Sequence, residues 1–302
     1  DTLSWDFQTF GWPIEGYGTK TGGVRLAKSQ CFGEPFQIDA KLRLAQLEQG
    51  HKSNDIPLPN LYHGCMSRRF MERLSGPDAP FFRAKSPDLY ISFRALQHGG
   101  NFWHVHHPLS INGFSPASTG GSMNNLNKNT KKADTKFLTE AKLDDVDDII
   151  PVTKSMALAF LGTLETARHL YPEDPVSPDY LAWYGQALMD ASRKDAQTAA
   201  EIQASLDGHA KQFGAEEILA QARKRGAAQG NRIKETFKRN LAKMHSFRRV
   251  SNINGENTIA TAAQMCDDIF GNDAMAVVTK QTTAQTAWQN SKKRSQKYEK
   301  QL

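Results

Sequence analysis

Cysteine is scarce in this sequence, and the few residues present stand far apart. The three cysteines in 302 residues, Cys31, Cys65 and Cys266, include no C-x-x-C pair. So sparse and odd a set excludes a disulfide framework and argues against a thiolate-built zinc site. It points to free thiols in a reducing compartment, the cytoplasm. Long apolar runs are missing as well: no window approaches about 18 consecutive apolar residues, so no membrane-spanning helix is expected. The opening "DTLSWD" has neither an initiator methionine nor the basic-then-apolar pattern of a secretory signal. No repeat of fixed period is present, which leaves a solenoid unsupported. The glycine-rich "GYGTKTGG" lacks the spacing G-x-x-x-x-G-K-[ST] and is not set between an apolar strand and an apolar helix, so an ordinary loop is expected there.

What remains is an ordinary globular composition with a basic balance. Hydrophobic residues make up 39% and charged residues 23%, enough for a sizeable core. Net charge is +6 with an isoelectric point near 9.1. That permits nucleic acid, anionic lipid or phosphorylated ligands as partners and selects none of them. Part of the excess lies in "KKRSQKYEKQL", where five basic residues face one acid; a solvated, frayed end is expected.

Two halves differ in texture. The first 125 residues are rich in Gly, Pro and aromatics. "TLSWDFQTFGW" alternates like a strand, and "FQIDAKLRLAQLEQG" passes from a short strand into a helix that Gly50 closes. A helix starts near Ser67. "SPDLYISFRALQHGG" reads as another, with Ser86 as cap, Pro87 in the first position and Gly99-Gly100 as the stop. "NFWHVHHPLSI" is then a strand that Pro108 confines to an edge or cuts short. Residues 126–150 form a polar linker. Residues 151–302 read as helical, with amphipathic patterns in "VTKSMALAFLGTLETARHLY", "SPDYLAWYGQALMDASRKDA", "GAEEILAQARKRGAAQ" and "TIATAAQMCDDIFG". The whole is an α/β class chain: strands and helices first, then a helical region.

Three groups carry chemistry worth weighing. His104 and His106 share one face of the predicted strand, a legitimate geometry for a metal, but local spacing indicates no third ligand. With His107, they are expected to meet substrate or solvent, and no metal ligand is assigned. The run "DDVDD" from Asp144 has an acid-x-acid pattern, yet clustered carboxylates ahead of Pro151 also suit a linker. Asp88 sits in the first turn of the predicted helix after Ser86-Pro87. An acid there complements the helix dipole. The same position also holds a carboxylate rigidly at the mouth of a site, as a general base requires.

The order of three segments is informative. "LPNLYHGCMSRRFMERL", "FFRAKSPDLYISFRAL" and "HHPLSINGFSPASTGGS" together resemble the second half of a family-2 glycosyltransferase domain, a nucleotide-sugar transferase of GT-A fold. The elements are Tyr62-His63-Gly64 ahead of a helix, Pro87-Asp88-Leu89-Tyr90 at a helix start, and Pro108-Leu109-Ser110-Ile111-Asn112-Gly113-Phe114-Ser115. The likeness runs from Asp1 to about Ser122. It implies that residues 1–125 are the acceptor-side half of a GT-A-like domain. Asp88 would then be the base that deprotonates an acceptor hydroxyl in an inverting transfer. His63, Gly64 and Arg68 would lie near acceptor and sugar. A loop from Ser110 to Ser118, including Asn112, Gly113 and Ser115, would close over the substrates.

The same resemblance implies a nucleotide-sugar donor, a carbohydrate or glycolipid acceptor such as a cell-surface polysaccharide, and Mn²⁺ or Mg²⁺ on the leaving diphosphate. No Asp-x-Asp strand that would hold that cation precedes Tyr62. The expectation is therefore that roughly a hundred residues of donor-binding half are missing from this chain, which alone would be inactive. No DNA is expected as a partner. The helical region is expected to make a protein contact or a peripheral contact with the inner membrane face. The competing reading is a non-enzymatic basic module that binds nucleic acid or another anionic partner through "RKRGAAQGNRIKETFKRNLAKMHSFRR" and the terminal lysines. An inactive relative that keeps only the sugar-binding loop is a third.

Overall fold

The computed structural model describes residues 1–12, 22–52, 57–75, 81–82, 86–114, 149–150, 154–174, 176–228 and 246–301. The chain is mixed α/β. Its strands are β1 (Thr2–Gly11), β2 (Gly23–Ala27), β3 (Pro35–Ile38), β4 (Gly64–Met66), β5 (Phe102–Phe114) and β6 (Ser246–Val250). The helices of the first part are α1 (Ala40–Glu48), α2 (Arg68–Leu74) and α3 (Pro87–His98). They are followed by α4 (Met156–Leu170), α5 (Tyr180–Ala191), α6 (Ala196–Gln212), α7 (Glu216–Ala228), α8 (Ile259–Phe270), α9 (Asp273–Val278) and α10 (Ala284–Ser295). Among the described residues no helix is long and apolar enough to cross a membrane.

The strands run in the order β3-β5-β1-β2-β6, with β4 also paired to β1. β1 takes antiparallel partners at its two ends: Leu3 faces Cys65 of β4, and Phe10 faces Val24 of β2. Beside β5, Ser4 meets His104 and Asp6 meets His106, a constant offset that parallel strands produce. β5 is interior to this order, not an edge, and it runs on through Pro108 to Phe114. The expected break at Pro108 does not occur, because proline forfeits only its own N–H. β6, "SFRRV", lies within the stretch read as helical and pairs antiparallel with β2, Val24 facing Arg249.

Two compact units emerge: residues 1–4, 37–104 and 141–231, and residues 5–36, 105–140 and 232–302. Three of the divisions fall inside strands, after Ser4 in β1, after Phe36 in β3 and after His104 in β5.

In the first unit α3 is the central helix, with Tyr90 through Leu96 all buried. Phe93 packs on Phe160 of α4, which packs in turn on Trp183 of α5, at ring separations of 5.4 and 5.8 Å. Buried aromatics of this size supply most of the burial energy, about 1.5–3 kcal/mol or more each. Arg94 lies buried over the Tyr171 ring at 3.5 Å and bonds Asp174 Oδ2 at 2.9 Å, so its charge is matched. Local signals set the helix ends. Asp39 caps α1 through Leu42 N, and Ser67 caps α2 through Phe70 N. Gly50 (φ 88°) and Gly99 (φ 77°) take the left-handed turn that follows α1 and α3.

In the second unit Phe10, Val24, Leu26, Phe32, Met265, Ile269 and Trp288 form one core. The terminal segment is not frayed. Tyr298 is buried, its hydroxyl donates to Asp268 at 2.5 Å, and Lys297 Nζ bonds the same carboxylate at 2.7 Å.

Candidate functional site

In the first unit the residues around Asp88 converge from three segments. Ser86 makes no side-chain capping bond. Pro87 and Asp88 do the work instead: the proline has no N–H to satisfy, and the Asp88 carboxylate accepts from the N–H groups of Leu89 and of Asp88 itself. Those bonds favour ionisation, but loss of water outweighs them, and burial pushes the Asp88 carboxyl above its ordinary range. Deeper in the helix, Ser92 Oγ reaches the carbonyls of Asp88 (2.7 Å) and Pro59 (3.3 Å), tying the helix start to the preceding loop. Asn60 Oδ1 then accepts from Tyr62 N at 2.7 Å and turns the chain back into β4.

That turn brings Tyr62 near Asp88. Burial raises the Tyr62 phenol pKa, and the Asp88 charge raises it further. His63, half-buried, is held below the ordinary histidine value by loss of solvent, so its imidazole is neutral at neutral pH. Gly64 is required by space. A Cβ there would stand 2.1 Å from the Asn60 carbonyl and 2.7 Å from the Leu3 carbonyl. Arg68 is the first residue of α2 and is exposed. One unit thus holds His63, Gly64, Arg68 and Asp88, with Tyr62 as a neighbour of Asp88 that the sequence reading did not assign.

The other expected substrate contacts lie in the second unit. Ser110, Asn112 and Gly113 belong to β5 and not to the expected loop; Ser115 and Ser118 lie outside the described residues. Trp5 Nε1 donates to Ser110 Oγ at 3.0 Å. A Cβ on Gly113 would come within 2.9 Å of Trp12 Nε1, so this glycine makes room for the indole. An open cleft of about 730 Å³ runs past Ser110 and is lined also by Gln8, His107, Ile111, Cys266 and Asp267. Burial pushes the Cys266 thiol up to about 12 and holds His107 down at about 4. The cleft therefore offers a neutral thiol and a neutral imidazole, neither of them an activated nucleophile. The acidic run at Asp144 lies outside the described residues.

A third grouping answers the missing-ligand question. Asp6 Oδ2 stands 2.8 Å from His106 Nδ1, and His104 is two residues back on the same strand. One ligand atom from each of Asp6, His104 and His106 lies within 4.8 Å of the others. Two imidazoles and one carboxylate are not the oxygen-rich set preferred by Mg²⁺ or Mn²⁺, so this cluster does not fit the cation that the resemblance implies.

No protein-family profile, curated protein or solved structure matches this chain.

Proposed function

We propose that the chain is the acceptor-side part of an inverting, GT-A-like glycosyltransferase in which Asp88 is the general base. The observation that carries this reading is the Asp88 carboxyl, raised in pKa by burial yet fixed at the start of a helix that is buried from Tyr90 to Leu96. A base matched to neutral pH needs such an elevation, and a rigid helix start supplies the aim. The ionised carboxylate takes the proton of an acceptor hydroxyl as its oxygen attacks the anomeric carbon, and the sugar leaves its nucleoside diphosphate. Neutral His63 is a hydrogen-bond partner for that hydroxyl, and Tyr62 forms one wall beside the base. Ser110 and Asn112 are substrate contacts. A divalent cation and a donor-binding half belong to the complete enzyme, which works on a nucleotide sugar and a carbohydrate or glycolipid acceptor.

The basic-module reading has lost several of its cations to internal bonds. Arg249 bonds Ser295 O and Oγ at 3.0 Å each, Arg294 bonds Asp273 Oδ2 at 2.6 Å, and Lys297 is held by Asp268. Cations so engaged are poor phosphate binders. The test is release of nucleoside diphosphate by the protein expressed from its full coding sequence. It is offered a panel of uridine, guanosine and thymidine diphospho-sugars, with and without carbohydrate acceptors. Acceptor-dependent release from one donor class is expected; no release from any donor would overturn the proposal.

A further inference from the structure

We infer that Asp6, His104 and His106 form a binding site for a divalent transition-metal ion, independent of the transferase reading. The ligands hang on two unbroken strands. His104 and His106 are two residues apart on β5 and so project to one face, and Asp6 comes from β1, whose residues keep step with β5. This is the third ligand that local spacing did not supply. It arrives from a hundred residues away through strand pairing.

The hydrogen bonds around the cluster prepare it for a cation. Ser4 Oγ lies 2.9 Å from His104 Nδ1 and 3.3 Å from the Trp103 carbonyl. In the tautomer whose Nδ1 donates to Ser4, Nε2 is the ligand atom, the arrangement that metal-binding histidines use with an outer partner. His106 is held from behind. Its carbonyl accepts from Gly33 N at 2.8 Å, the Phe36 ring lies 5.0 Å from its imidazole, and a Cβ on Gly33 would stand 2.4 Å from His106 Cβ. Only glycine lets the segment ahead of β3 approach closely enough to set the ring.

Metal–ligand bonds of about 2.0–2.2 Å in a tetrahedral site place ligand atoms roughly 3.3 Å apart. Closing from the present spacing, at most 4.8 Å, therefore asks for small side-chain rotations. The donor set selects Zn²⁺, Co²⁺, Ni²⁺ or Fe²⁺ over Mg²⁺ and Ca²⁺. His104 is buried, whereas the side chains of Asp6 and His106 are 17% and 39% exposed, so the site opens to solvent on the His106 side. Three protein ligands with an open side leave a coordination position for water or an anion, as reactive metal sites do and closed structural sites do not.

The test is titration of metal-free protein with Co²⁺ and Zn²⁺. Visible Co²⁺ absorption reports coordination number, and competition with a chromogenic chelator reports Zn²⁺ affinity. Wild-type protein is expected to bind one equivalent, with a four- or five-coordinate Co²⁺ spectrum, and millimolar Mg²⁺ is expected not to displace it. Because His104 is buried, the variants are His106→Ala and Asp6→Asn, each checked by circular dichroism and melting temperature. Each is expected to weaken Zn²⁺ binding at least tenfold at unchanged fold. Absence of a saturable equivalent in the wild type, or affinity unchanged in both folded variants, would overturn the site and leave only an Asp6–His106 ion pair.

Discussion

Replacing Asp88 by Asn separates its two possible roles by the sign of a stability change. The Asp88 carboxyl is raised in the folded protein, first by burial and against the bonds from the Leu89 and Asp88 N–H groups. A group whose folded pKa lies above its unfolded value binds more protons in the native state. Its contribution is fully present below the unfolded pKa, near 3.9, and is lost as pH rises through the folded pKa. Ionised Asp88 therefore destabilises the fold at neutral pH, and an isosteric Asn, which still accepts from Leu89 N–H, removes that cost. Functional-site relief of this kind is worth about 0.5–2 kcal/mol. Asp88 is only partly enclosed, so solvent screening puts the expectation at the lower end, about 0.5–1 kcal/mol. That is roughly 1–4 °C in melting temperature for a domain of this size. The assay is thermal unfolding of wild type and Asp88→Asn across pH 3 to 8. The Asn variant should be the more stable at pH 8, and the gap should close toward pH 3. A variant less stable at pH 8 by about 0.3–1 kcal/mol, the worth of an acid at a helix N-terminus, would make Asp88 a structural cap and refute the reasoning.

Two further outcomes follow from other parts of the fold. Glu165 is buried in α4, accepting from Tyr180 OH at 2.7 Å and lying 3.8 Å from His209 Nε2 and 3.7 Å from Arg168 Nε. Glu165→Ala strips a charged acceptor from all three and should cost about 3–5 kcal/mol in urea unfolding, with Tyr180→Phe costing about 1 kcal/mol. In the second unit, the bonds from Lys297 and Tyr298 lower the Asp268 pKa, so this contribution is present above the unfolded value and is lost as pH falls through the folded one. Protection factors of residues 296–301, referred to the intrinsic exchange rate at each pH, should fall at acid pH, and Asp268→Asn should show the same loss of protection at neutral pH.

Much of the local structure was legible because its signals are local. Asp39, Ser67, Gly50 and Gly99 act as the caps and stops that their types suggest, and α3, α4, α5, α7 and α8 sit on the amphipathic stretches. Three helices escaped, of which α9 is only six residues long. α6 buries Thr198, Ile202, Leu206, His209 and Ala210, and α10 buries Ala287, Trp288, Ser291 and Ser295, so polar and small residues hide the apolar stripe. Arg248 and Arg249 masked β6, and Pro108 hid the interior place of β5 and its continuation to Phe114, features that depend on neighbours distant in sequence. The candidate site divides in the same way. Asp88 at a helix start and the spatial need for Gly64 follow from adjacent residues. Tyr62 beside Asp88, and above all Asp6 beside His106, depend on tertiary packing and strand pairing that no local spacing encodes.

Turnover by Asp88→Asn is the most direct examination of the transferase proposal. Protein expressed from the full coding sequence, wild type and variant, would be compared for initial rate of nucleoside diphosphate release at saturating donor and acceptor. If Asp88 removes the acceptor proton, kcat falls by about 10²–10⁴-fold while the donor KM and the fold stay unchanged. Turnover by the folded variant within a few-fold of wild type would contradict that role and with it the proposed chemistry.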